Sequence, residues 1–218
     1  MPPASKLRPQ LNPDLVVEAA ARVLERDGFD GLTMRAVASE LKVRAPALYW
    51  HFPNKDALQV ALYDHLMADM VFDLGGRDWR EDIAGMAQQL RRHLLKRRDV
   101  ARLLPHGFFV GPNIMAQAET ILGILLGAGL APKDAAYAMS TGFSYVVTWV
   151  IGEADLIARR ARGHDGNDDL AKAMIATGAY PNFSLVLSAF DAGGDIDGQF
   201  AFGMTCLIAG FEQLIPKR

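Results

Sequence analysis

The chain has 218 residues, half of them hydrophobic, with 23 Lys and Arg against 25 Asp and Glu for a net charge of −2. That length holds one domain of ordinary size or a small domain joined to a larger one, and so apolar a composition excludes disorder over most of the chain. The balance also excludes an indiscriminate positive coat as the means of meeting a polyanion, although residues 1–60 carry eight basic against seven acidic side chains (+1) and the remainder fifteen against eighteen (−3).

Cys206 is the sole cysteine, so the chain forms no internal disulfide and offers no structural zinc cluster. The opening MPPASKLRPQ lacks the apolar segment of a signal peptide, and apolar runs such as 121–131 are too short to span a bilayer. A cytoplasmic chain with no membrane partner, no cofactor and no metal is the expectation, with residues 1–11 read as a flexible arm.

A first helix is predicted from the Asn12 cap and Pro13 to Asp27, before Gly28. Val16, Ala19, Ala20, Val23 and Leu24 recur along it at helical spacing and make one apolar face. Thr33 then caps a short helix with Val37 and Leu41 on one face, ending near Lys42. A second short helix starts at Arg44 with Pro46 in its first turn, where a fixed φ and a missing N–H cost nothing. Leu48 turns inward, leaving Arg44, Ala45, Ala47, Tyr49, Trp50 and His51 outside. Arginine reads guanine or binds phosphate, alanine meets a thymine methyl, and Tyr and His bind phosphate oxygens, so this is a helix suited to a major groove. The competing reading, an aromatic stripe packed on a core, is weakened because Val37, Leu41, Val43 and Leu48 already supply the apolar positions. Asn54 caps the next helix, and Lys55 places a cation beside its N-terminus, suited to a phosphate.

That helix is predicted over Lys55 to Asp73, stopped by Gly75-Gly76. Further helical segments follow at 78–97, 100–106, 113–129, 132–162, 168–177 and 196–214, with an exposed loop at 163–169. No segment alternates with a two-residue period, so no sheet is expected. The segments at 132–162 and 196–214 are apolar around much of their circumference, and Gly198, Ala201, Gly203, Ala209 and Gly210 would let another helix approach closely. Arg91, Arg92, Lys96, Arg97, Arg98 and Arg102 form a basic run, read as a solvated face with some pairing to Glu81 and Asp82.

Residues 12–66, through AARVLERDGFDGLTMRAVASELKV and APALYWHFPNKDAL, resemble the N-terminal domain of the TetR family of transcriptional regulators, in style nearest the tetracycline-repressor subgroup. The resemblance implies an all-α chain: a three-helix, helix-turn-helix DNA-binding domain at 12–54, a connecting helix at 55–74, and a larger helical ligand-binding and dimerisation domain at 75–218. It places Thr33, Arg35, Arg44, Ala45, Pro46, Ala47, Tyr49, Trp50, His51 and Lys55 where the family meets DNA. Lys42 departs from the pattern, standing where many members have a turn glycine, at a cost of about 1 kcal/mol if that position needs a positive φ. Ala45 and Ala47 lack polar groups found there in tetracycline-responsive members, so the operator sequence does not carry over.

The resemblance further implies a homodimer on a palindromic double-stranded operator and a small-molecule effector that releases it, with no enzyme activity. Effector residues are expected among Met86, Leu90, His93, His106, Phe109, Gln117, Phe143 and Trp149, polar groups set in apolar walls. His106 lies near the place of a metal-holding histidine in the tetracycline-responsive members, but the register set by Trp79 and Arg98-Asp99 puts Leu104 there. The same register puts Met86 and Leu90 at two other drug-contacting positions, so the expected effector is largely apolar and needs no metal. Two other classes remain open: a helical enzyme using His93, His106 and Glu153, for which no orienting constellation is visible, and a DNA-independent interaction module.

Overall fold

The computed structural model describes residues 11–76, 78–97, 99–103, 111–163, 173–187 and 195–216, and among these every regular element is helical. The expected arm up to residue 10, His106, Phe109 and most of the 163–169 loop lie outside the described residues. The α-helices are α1 (Pro13–Gly31), α2 (Met34–Glu40), α3 (Lys55–Leu66), α4 (Trp79–Leu95), α5 (Pro112–Gly127), α6 (Pro132–Ala161), α7 (Pro181–Leu187) and α8 (Ile196–Glu212), with 3₁₀ segments at Ala45–Trp50 and Val100–Leu103. Two compact units result. The first comprises Met1–Val71 with His93–Thr120, the second Phe72–Arg92 with Ile121–Arg218.

In the first unit, local chemistry starts each helix. Asn12 Oδ1 accepts from Leu15 N at 2.9 Å, Thr33 Oγ1 from Ala36 N at 3.1 Å and Asn54 Oδ1 from Ala57 N at 2.7 Å, each cap satisfying a donor that the first turn leaves unpaired. The predicted face of α1 (Val16, Ala19, Ala20, Val23 and Leu24) is buried with Val37 of α2 and Leu58 and Leu62 of α3. Gly28, at φ 75°, kinks α1 rather than ending it. Arg22 and Arg26 on α1 hold the Glu40 carboxylate at 2.9 and 2.8 Å. The Arg26 hydrogen bond, then that of Arg22, keeps this carboxyl below the usual range, so the pairing is complete at neutral pH and is lost as pH falls through that lowered value.

The helix expected to run from Lys55 to Asp73 instead ends at Leu66. Distant side chains occupy the carbonyls at its end: His93 Nε2 lies 2.9 Å from Leu66 O, and Gln117 Nε2 donates to Met67 O at 3.1 Å. Residues 71–76 run on without helical structure.

The second unit is built from α4, α6, α7, α8 and the C-terminal part of α5. Its basic run is not a solvated face at Arg91, which is 4% exposed. Arg91 Nε and Nη2 donate to Glu153 Oε2 and Oε1, both at 2.7 Å, while Nη1 lies 2.7 Å from Asp197 Oδ1. Glu153, and secondarily Asp197, push the guanidinium pKa further up. The expected pairing with Asp82 is replaced by a local one, since Asp82 Oδ1 accepts from Gly76 N. In the first unit Arg97 pairs with Asp69 and Arg102 with Asp30.

Tyr145, Trp149 and Phe200 cluster with centroids 5.5–5.8 Å apart, and Tyr145 Oη donates to Phe200 O at 3.0 Å. Gly203 admits the Tyr145 ring, with which any Cβ would collide, and Gly198 accommodates the Asp195 cap of α8. Two of the small residues expected to admit another helix therefore serve contacts within the chain. Helix α7 was not anticipated: only seven residues long, with Phe183, Leu185 and Val186 exposed, it lacks a buried periodic face by which sequence reading would find it.

Candidate nucleic-acid interface and effector cavity

The turn after α2 closes as a Schellman motif, with Lys42 N donating to Ser39 O and Val43 N to Ala38 O, both at 3.0 Å. That pattern requires a left-handed residue, and Lys42 adopts φ 56°. Replacing Lys42 by glycine is expected to raise stability by up to about 1 kcal/mol, the relieved strain being partly offset by a freer unfolded chain, whereas β-branched Lys42→Val lowers it. Urea midpoints of the three proteins check this order.

The segment that follows is a 3₁₀ helix over Ala45–Trp50, opened by Arg44 in extended conformation and Pro46 in its first turn. Such a helix has three residues per turn, so side chains at i and i+3 eclipse and its six residues, with the flanking Arg44 and His51, sort into three columns. Leu48, 0% exposed, anchors the inward column, flanked by half-buried Ala45 and His51. Of the remaining side chains Arg44, Pro46, Tyr49 and Trp50 are exposed, while Ala47 is half-buried. Trp50 is 89% and Tyr49 51% exposed, and Arg44 is exposed and forms no ion pair among the described residues. Thr33 and Arg35 are exposed on and beside the α2 cap. Lys55 is half-buried, its Nζ 4.9 Å from the centroid of the Phe29 ring, which limits its reach to a phosphate.

Within the second unit, Met86 and Leu90 of α4, Ile121 and Leu125 of α5, and Ala138, Phe143 and Val146 of α6 wall an apolar cavity of about 50 Å³. Of the expected effector residues, Met86, Leu90 and Phe143 meet here. Trp149 lies instead in a wider groove of about 600 Å³, with Ser144, Thr148, Glu153 and Gln199. Its indole N–H is buried without an acceptor among the described residues. His93 and Gln117 are engaged at the end of α3 in the first unit. Sequence reading missed Ile83, Ala138 and Val146, whose apolar side chains are indistinguishable from ordinary core without a tertiary frame. Among the described residues no group of His, Cys, Asp or Glu could hold a metal ion.

Residues 16–62 match the family described as bacterial regulatory proteins, tetR family, and residues 73–215 match the tetracyclin repressor-like C-terminal domain. The chain belongs to the TetR family. As a TetR-family member it is a DNA-binding transcriptional regulator with an N-terminal helix-turn-helix and a helical C-terminal domain. It is 34% identical over 207 residues to the class A tetracycline repressor from transposon 1721 of Escherichia coli, covering 94% of this chain and 92% of that one. An HTH-type transcriptional regulator of Saccharopolyspora erythraea is 31% identical over 208 residues, 94% and 86% of the two chains. Among solved structures, the TetR-family protein ActR of Streptomyces coelicolor in complex with actinorhodin superposes with a TM-score of 0.79 at 26% identity, covering 95% of this chain and 100% of that one. BioQ with its double-stranded DNA operator superposes with a TM-score of 0.65 at 27% identity, covering 93% and 99%. Among the described residues, no TetR-family helix here is long and apolar enough to cross a membrane.

Proposed function

We propose that this TetR-family chain is a homodimeric, cytoplasmic repressor that holds a palindromic operator and releases it when a small, largely apolar molecule enters the second unit, without catalysing a reaction. The reading of residues 12–54 as the DNA-binding part, 55–74 as the connection and 75–218 as the ligand-binding and dimerisation part follows the family pattern. One observation carries the DNA assignment: Arg44, Tyr49 and Trp50, with half-buried Ala47 between them, are presented over a fully buried Leu48. Aromatic rings left in water beside a guanidinium that has no ion-pair partner among the described residues make a surface awaiting a partner. Thr33, Arg35 and Lys55 flank it for the phosphate backbone, with Pro46 shaping the start and Ala45 and His51 at its edges.

The effector assignment rests on the apolar cavity. At about 50 Å³ it is far below the roughly 300–1,000 Å³ of ligand pockets, so a ligand must displace its walls. That requirement suits a switch, since a ligand shifts an equilibrium only by its preference for one conformation, and a hundredfold loss of DNA affinity needs about 2.7 kcal/mol of such preference.

For the homodimer, α6 and α8 offer the surface: Phe202 is 72% exposed, beside exposed Ala201, Ala209 and Gly210. Ala209→Arg is expected to shift the protein from dimer to monomer at micromolar concentration in sedimentation velocity, because an arginine there has no partner to neutralise it. An unchanged sedimentation coefficient assigns the dimer to another face.

A mobility-shift titration with the DNA upstream of the encoding gene tests the whole reading. A shift abolished by Arg44→Ala and Tyr49→Ala together supports it. Absence of any shift by the pure protein favours an interaction module, and turnover of a bound compound favours an enzyme.

A further inference from the structure

The last turn of α3 is gripped from two directions within the first unit. From α5, Asn113 N and Ile114 N donate to Asp64 Oδ1 at 3.1 and 2.9 Å, and Asn113 Nδ2 donates to Asp64 Oδ2 at 3.0 Å. From the end of α4 and just beyond it, His93 Nε2 lies 2.9 Å from Leu66 O and Arg97 Nη2 donates to Asp69 Oδ2 at 2.8 Å. Asp64 is only 8% exposed, and Gly111 lies so close that any Cβ there would collide with its carboxyl. A buried carboxylate thus closes the amide donors at the start of α5, an arrangement that a helix N-terminus favours electrostatically and that leaves those amides unsatisfied if it is lost.

The same two helices wall the apolar cavity in the second unit, through Met86 and Leu90 on α4 and Ile121 and Leu125 on α5. A helix is stiff along its axis, so displacing Ile121 shifts the first turn of α5. Hydrogen bonds near 3 Å tolerate little such shift before they break or drag their acceptor along. The acceptor is on α3, twelve residues and about 18 Å long, whose other end is separated from the 3₁₀ segment by four residues.

We propose that Asp64 is the positioning residue through which occupancy of the cavity reaches α3 and the DNA-reading segment, coupling the spread of α5 to a displacement of α3. This rests on the cavity being the effector site, and the test separates the two claims.

The probe is a cavity filled by substitution, Ile121→Phe from α5 or Ala138→Leu from α6, in the full-length protein, read by binding of the upstream DNA and by hydrogen exchange of residues 55–66. Either filler is expected to weaken DNA binding at least tenfold and to change exchange across α3, and to do so less than threefold, with α3 exchange unchanged, when Asp64→Ala is also present. Where Asp64→Ala does not fold, Asn113→Ala, which removes the side-chain donor alone, is expected to halve the response. Equal loss with and without the Asp64 change overturns the coupling and leaves the cavity reading standing. No loss with either filler in the native background overturns the cavity reading and the coupling with it.

Discussion

Arg44→Ala is expected to relax the preference for one operator base pair, costing about 1–3 kcal/mol against the best sequence and much less against variants at that position. The geometry supports a base-reading role because Arg44 opens the 3₁₀ segment in extended conformation, is exposed, and stacks in one column with Ala47 and Trp50. Tyr49, in the adjacent column, is expected to act differently. Its hydroxyl suits a phosphate oxygen, so Tyr49→Ala weakens all operator variants alike and leaves the salt slope unchanged, since a neutral group releases no counterion. Lys55→Ala also weakens them alike but lowers the salt slope by about 1, unless its ammonium stays over the Phe29 ring, in which case the slope does not move. His51→Ala, in the inward column with Leu48, has the smallest effect of the four. Binding isotherms on a panel of operator variants at three salt concentrations separate these roles. Equal losses for Arg44, Tyr49 and Lys55 overturn the division.

Glu153→Ala is expected to destabilise the protein by about 3–5 kcal/mol, because it leaves the buried Arg91 guanidinium without its bidentate partner. Asp197 offers no rescue: its side chain is 79% exposed, so the charge it shares with Arg91 Nη1 is largely screened by water. Asp197→Ala accordingly costs under about 1 kcal/mol. Replacing both members of the buried pair, Arg91→Met with Glu153→Leu, is expected to recover most of the loss, since it removes the desolvated charges along with their attraction. Urea denaturation at fixed protein concentration compares the three variants with the parent protein, concentration being held because a dimer's stability depends on it. A loss below 1 kcal/mol for Glu153→Ala means that water reaches Arg91 in solution.

What the amino-acid sequence determined by itself is the local part. Asn12, Thr33 and Asn54 each cap the helix they precede, because a cap reaches only an amide three residues on and needs no distant partner. The apolar face of α1 and the inward Leu48 were legible for the same reason, the LYWHFPNKDAL run carried the family assignment, and the family pattern pointed to strain at Lys42. Tertiary structure decided the rest. Helix α3 stops at Leu66 rather than Asp73, and its end meets His93 and Gln117, 27 and 50 residues away in sequence. Arg91 leaves the basic run for the interior because Glu153, 62 residues away, neutralises it. The 3₁₀ winding sorts six nominally outward side chains into inward and outward columns, and Gly203 serves Tyr145 within the chain. Each of these depends on which distant group arrives to satisfy a charge, a carbonyl or a volume, and hydrophobic periodicity encodes the face a residue occupies but not the partner it meets there.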